Sequence, residues 1–230
     1  MENIEIKSPA TMLKQITVVN KHGQKLDGLL HDTGSTNIVV LCHAFRSTKE
    51  HFAMVKLAHA LETEGVTAFR FDFSLTEYTE DSYYSGNYDS EIEDLRAVVE
   101  YFSTINRPVA AVLGHSKGAV INVSGRYDPW HINLKNRNAT SEEEVKDVKQ
   151  LNSSIDEEWL TMDPRCKVLT VHGTADNDVA LDEAYEIGKV APNHQLKLVD
   201  GADHTYESRL DQLAAAVVPF AKECCFQSLA

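Results

Sequence analysis

The chain has 230 residues, 43% hydrophobic and 25% charged, which suits one domain with a sizeable core and rules out wholesale disorder. Asp and Glu outnumber Lys and Arg by 35 to 22, a net charge of −13. That balance excludes a phosphate-neutralising nucleic-acid binder and is repelled by an anionic membrane surface, and no run approaches the ~20 apolar residues of a membrane-spanning helix.

The first residues carry no apolar signal core, so no secretory or transit segment is expected. Gln15–Asn20 and Lys25–Leu30 flank a Lys-His-Gly turn and read as a hairpin. Asn37–Cys42 is a continuous apolar run, as in a strand buried on both faces. Thr48–Glu64 has helical spacing and stops at Gly65. Thr67–Phe73 is the next buried strand, Ser90–Phe102 a helix with an acidic first turn, and Pro108–Leu113 another buried strand.

Residues 128–163 are polar and poor in apolar side chains, with Ser141–Leu151 as a short helix opened by a capping box. They are expected to form a lid-like excursion within a single domain spanning 1–230. Order returns with strand Lys167–His172, helix Leu181–Val190, strand Gln195–Val199 and the amphipathic helix Ser208–Cys224. Strands alternating with helices predict a mostly parallel α/β sheet covered on both faces.

Four irregularly spaced cysteines form no metal-binding pattern. Cys42 and Cys166, in or beside apolar runs, are expected to be buried free thiols, and Cys224 and Cys225 to be exposed. This usage fits a reducing, cytoplasmic setting.

The chemistry concentrates at three strand ends. Ala110–Leu113 runs into Gly114-His115-Ser116-Lys117-Gly118, a Gly-x-Ser-x-Gly turn that lifts a serine oxygen above a sheet. Val168–Val171 leads to His172-Gly-Thr-Ala-Asp176-Asn-Asp178, and Val199 leads to Asp200-Gly-Ala-Asp203-His204. The order Ser116, Asp176, His204 is that of a nucleophile, acid and base triad at the carboxyl edge of an open α/β sheet. A serine hydroxyl needs an adjacent base, which His204 supplies, and Asp176 orients and stabilises that imidazole. Asp178 is the second candidate acid. The oxyanion donors would be the backbone N–H groups of Lys117 and of Phe45, in the loop after Asn37–Cys42. His115 and Tyr127 are candidate substrate contacts, and His43 and His172 read as structural.

The segments LLHDTGSTNIVVLCHAF, AFRFDF, GHSKG, VSGRYD and VLTVHGTAD resemble the plant-type α/β-hydrolase family, an esterase-like group related to serine aminopeptidases and acylglycerol lipases. The resemblance spans most of Gly28–His204. It implies an α/β-hydrolase-like fold, hydrolysis of small-molecule carboxylic esters through an acyl-enzyme, and neither cofactor nor metal. Three departures carry expectations. Ala44 stands where the family has glycine and would be strained at positive φ. The segment after AFRFDF, from Ser74, is bulky and acidic where the family is rich in glycine, which thickens the rim of the site. Only Gly114–Ala119 separates Leu113 from Val120, too few residues for a usual parallel crossover. VINV is therefore expected either to form a short helix behind Ser116 or to leave the sheet, giving a trimmed core with an open site. This shortening motivates an alternative function, a catalytically impaired relative that binds a small molecule or a protein. A lyase or isomerase using the same triad is the third reading.

Overall fold

The computed structural model describes residues 12–74, 88–116, 119–127 and 162–226. Eight strands form one sheet: β1 (Met12–Val19), β2 (Lys25–Asp32), β3 (Ile38–Cys42), β4 (Thr67–Phe71), β5 (Val109–His115), β6 (Ile121–Val123), β7 (Val168–Gly173) and β8 (His194–Val199). Among the described residues four helices accompany them: α1 (Phe52–Thr63), α2 (Tyr88–Thr104), α3 (Leu181–Val190) and α4 (Leu210–Phe226). The strand order is β1-β2-β4-β3-β5-β6-β7-β8. β2 pairs antiparallel with β1 and with β4, and every later neighbour pair is parallel.

Two-sided burial explains the central strands. Val39 and Leu41 of β3 pack with α1 and α4, alongside Leu113, Ile121 and Val171. Ile38, Val40 and Cys42 point the other way, joining Phe69, Phe71 and the α2 residues Val98 and Phe102. A strand with both faces covered has no polar side to alternate, hence the unbroken IVVLC. α3 covers the far end of the sheet, where Ile187 and Ala191 pack on Val168.

Several boundaries differ from the expected ones. α1 begins at Phe52, because Thr48–Glu50 forms a separate turn in which the Thr48 hydroxyl accepts from the Glu50 N–H. The actual cap is His51, whose side chain accepts from Ala53 N–H. The cysteines are corrected too: Cys225 is buried while Cys166 and Cys224 are half-buried, so neither expected pair shares one environment. All four are free thiols, and burial pushes Cys225 up to about 12. Among the described residues no helix is long and apolar enough to cross a membrane. The expected helix Ser141–Leu151 lies outside the described residues, as does the 128–163 excursion apart from its last two residues.

The largest correction concerns VINV. It is neither a helix nor lost from the sheet: Ile121–Val123 is β6, parallel to β5 on one side and to β7 on the other. Five residues make this connection because β6 is so short. Ile121 pairs with Leu113 and Val123 with His115, so the chain retreats only two residues along β5. That is roughly 7 Å back and ~5 Å sideways, within the ~17 Å that five residues can span. The longer crossover rule assumes that a whole strand must be retraced. The Ser116 N–H closes the loop on the Val123 carbonyl at 2.9 Å.

Candidate active site

Two of the three strand-end residues meet, Asp176 and His204, and the third, Ser116, directly follows His115, whose ring stacks on His204. Ser116 follows β5 directly and has φ 62, the left-handed backbone that a sharp strand-to-turn reversal requires and that a non-glycine residue adopts at a cost. Asp176 lies in the loop after β7, and His204 in the loop after β8. The two loops are laced together. Thr174 N–H donates to the Val199 carbonyl at 3.0 Å, Ala175 N–H to the Ala202 carbonyl at 2.9 Å, and Gly201 N–H to the Thr174 hydroxyl at 2.8 Å. Gly173 permits this approach, since a Cβ there would sit 2.3 Å from the Ala202 carbonyl oxygen.

As a result His204 Nδ1 lies 2.9 Å from Asp176 Oδ2, with side-chain exposures of 13% and 0%. The other carboxylate oxygen, Oδ1, accepts from the N–H groups of Asp178 and Val179, each at 2.9 Å. Burial alone would raise the Asp176 carboxyl. Hydrogen bonds from His204, Val179 N–H and Ser124 outweigh it and hold the group at about 2. An ionised acceptor requires Nδ1 of His204 to carry the proton, so neutral His204 presents the Nε2 lone pair as a base. Asp178, the second candidate acid, gives its N–H to Asp176.

Other sequence-predicted residues fall around this centre. His115 is 2% exposed, so its ring lies beneath the surface, stacked on His204 with centroids 5.0 Å apart. Tyr127 is partly buried against Val168, Ile187 and Ala191, with its N–H on Glu183. Phe45 is 39% exposed, in a loop stapled by His43. The His43 Nδ1 donates to the Ala44 carbonyl at 2.8 Å, and its Nε2 accepts from Phe73 N–H. Lys49 clamps the far end of that loop, giving its backbone N–H and its ammonium to Asp72. Ala44 escapes the expected strain: the left-handed residue here is Arg46, at φ 54. Lys117 lies outside the described residues, as does the segment after Ser74. His172 is fully buried and donates from Nε2 to the Val179 carbonyl at 3.1 Å.

Two residues at this centre carry no role in the sequence reading. Ser124 (φ 47) and Tyr206 (φ 60) are both fully buried in left-handed backbone. Their hydroxyls are 2.8 Å apart, and Tyr206 also donates to the Val171 carbonyl at 3.0 Å. Ser124, which also lowers the Asp176 carboxyl, is thereby held by a buried tyrosine. Backbone sign is invisible in a single sequence. The available signal was that Ser124 closes a strand beside Asp176 and that Tyr206 follows His204 by two residues.

One further set could be considered for a metal. Among the described residues His31, His59 and Glu62 gather their donor atoms within 4.8 Å. However, Arg70 donates from Nε to Nε2 of His31 at 3.1 Å, which leaves the His31 proton on Nδ1, facing Glu62 at 3.0 Å. His59 Nδ1 meets the same carboxylate oxygen at 2.9 Å. The set is a satisfied hydrogen-bond network, with no lone pair on His31 turned toward an ion.

No protein-family model matches the sequence, and no curated protein matches it. Solved structures do. Est1E from Butyrivibrio proteoclasticus with ferulic acid bound aligns with a TM-score of 0.73 at 18% identity, covering 92% of this chain and 100% of that one. The fold is that of the α/β hydrolases. The esterase domain of a Rhodothermus marinus protein gives 0.69 at 21% identity, over 92% of this chain and 98% of that one. An α/β serine hydrolase without a lid from Xanthomonas campestris gives 0.66 at 17% identity, over 96% and 98%.

Proposed function

We propose that this α/β-hydrolase-fold protein is a serine hydrolase of small-molecule carboxylic esters, working through Ser116, His204 and Asp176. The observation that carries the reading is the buried Asp176–His204 hydrogen bond, and it is supported by a left-handed serine at the end of β5, one residue after the His115 that stacks on His204. The esterase and serine-hydrolase names of the compared structures support it, and GHSKG with HGTAD favours the plant-type, esterase-like subgroup. Four free thiols among the described residues are consistent with a cytoplasmic setting.

In this mechanism Nε2 of His204 takes the Ser116 proton as Oγ attacks the ester carbonyl carbon. The negative charge gathers on the carbonyl oxygen, met by the N–H groups of Lys117 and Phe45. Collapse breaks the bond to the alcohol oxygen, which leaves with the proton from His204. Water then repeats the sequence, its proton going to His204 and its oxygen to the acyl carbon, and Ser116 is restored. Asp176, ionised throughout, stabilises the imidazolium that forms in each half.

One observation favours a second reading, a binding module with an impaired centre. β5 passes into β6 within five residues, so the helix that would follow the elbow in the resembled family, and whose N-terminal dipole would face the oxyanion, is not available. Fluorophosphonate labelling with peptide mapping separates the two. The hydrolase reading expects rapid modification at Ser116 alone, lost in Ser116→Ala together with turnover of 4-nitrophenyl acetate. A folded wild-type protein that is not labelled, or a Ser116→Ala variant that keeps full activity, overturns it.

A further inference from the structure

We propose that His115 is a positioning residue for the base: its Nε2–H holds the main-chain carbonyl of His204, and its ring supports the His204 imidazole, so the residue before the nucleophile sets where the base stands. This rests on the triad reading above. Strand alternation turns the His115 side chain to the same face of the sheet as Leu113, under the loop that follows β8. There its Nε2 meets the His204 carbonyl oxygen at 2.8 Å. A carbonyl can only accept, so Nε2 carries the proton. The two imidazoles lie 5.0 Å apart and within 30° of parallel. His51, the cap of α1, lies on His115 at 5.7 Å, and the Tyr206 ring meets it edge-on at 6.5 Å.

A purely space-filling role does not explain this arrangement. Nδ1 of His115 is buried with no hydrogen-bond partner among the described residues, and an unsatisfied buried nitrogen costs stability that an apolar side chain would not. What the imidazole adds is one directed donor, and that donor goes to the catalytic loop. Burial, with the neighbouring imidazoles, also pushes His115 down to about 4. It therefore stays neutral near pH 7, keeps its proton on Nε2, and puts no positive charge beside the imidazolium that forms in the reaction. Ser116 is the next residue in the chain. One side chain thus ties the nucleophile's strand to the base by two contacts, which is the pre-organisation that proton transfer needs.

The test compares His115→Phe, which keeps a ring but removes the donor, with His115→Gln, whose amide nitrogen can reach the same carbonyl. Turnover of 4-nitrophenyl acetate is measured per active site, titrated with a fluorophosphonate so that a misfolded fraction is not counted. The expected result is a fall in kcat of about tenfold for His115→Phe, KM within about twofold of wild type, and recovery of most of the loss in His115→Gln. Wild-type kcat in folded His115→Phe, or equal losses in the two variants, overturns the proposal. Should the phenyl ring prevent folding, His115→Asn, too short for either contact, replaces it in the same comparison. His204→Ala keeps the two readings apart. If it still labels at Ser116 at the wild-type rate, the triad itself fails; if it is inert while His115→Phe is unimpaired, only the positioning role fails.

Discussion

Alanine at Gly173 would put a methyl carbon 2.3 Å from the Ala202 carbonyl oxygen and 2.8 Å from its carbon. Both are backbone atoms, so no side chain can swing aside, and the loops must part by about 0.7 Å to reach even a 3.0 Å contact. The Ala175–Ala202 hydrogen bond, now 2.9 Å, would open to roughly 3.6 Å, past the useful range. The same displacement falls on the Asp176–His204 pair, because Asp176 adjoins Ala175 and His204 lies two residues from Ala202. Overpacking of this kind costs about 1–3 kcal/mol, equivalent to a Tm drop of about 2–12 °C in a chain of this size. A misplacement approaching 1 Å at a reacting pair lowers kcat by roughly 10–100-fold. Circular-dichroism melting and ester turnover per titrated site would measure both. Wild-type Tm and kcat in Gly173→Ala would refute the claim that this glycine sets the spacing of acid and base.

Acid should weaken the protein through Asp176. Its carboxyl sits at about 2 when folded, against an ordinary 3.8, so the contribution of about 2 kcal/mol is present above pH ~4 and disappears between pH ~4 and ~2. Urea midpoints of wild type and Asp176→Asn should accordingly converge as pH falls through that window, and a constant gap would contradict it. Tyr206→Phe removes the hydroxyl shared by Val171 and Ser124. It should cost about 1–2 kcal/mol of stability. An unchanged urea midpoint would show the hydroxyl to be dispensable.

Much of this architecture was legible because two-sided burial writes itself into composition. IVVLC and VLTVHG are fully buried strands; both read as strands, the first as one buried on both faces, and polar residues immediately after them mark the carboxyl edge that holds the candidate site. β6 was illegible for a physical reason. Three residues carry no measurable period, and a rule about crossover length, sound for full-length strands, argued against pairing them. The start of α1 was expected at Thr48, four residues early, where the chain instead makes a separate turn held by the Thr48 hydroxyl. Ser124 and Tyr206 were missed because their contribution depends on backbone sign and on a tertiary hydroxyl pair, neither of which leaves a spacing pattern. The same holds for His115: its neighbour Ser116 announced the site, while its own contact lies 89 residues away in the chain.

The brevity of the β5–β6 link also bears on how the sheet assembles. Parallel strands usually meet only after a long stretch of chain has closed; Ile38 pairs with Thr67, Val39 with Ala111, and Ile121 with Leu169. Leu113 and Ile121 pair across eight residues. Closing eight residues instead of the 48 between Ile121 and Leu169 saves about 1.6 kcal/mol of chain entropy. The pairing that frames Ser116 is therefore a local contact in a sheet of distant ones, and it can form before its neighbours dock. β3 and β7 can then add to a seam that already holds Ser116, while Asp176 and His204 come with the loops after β7 and β8.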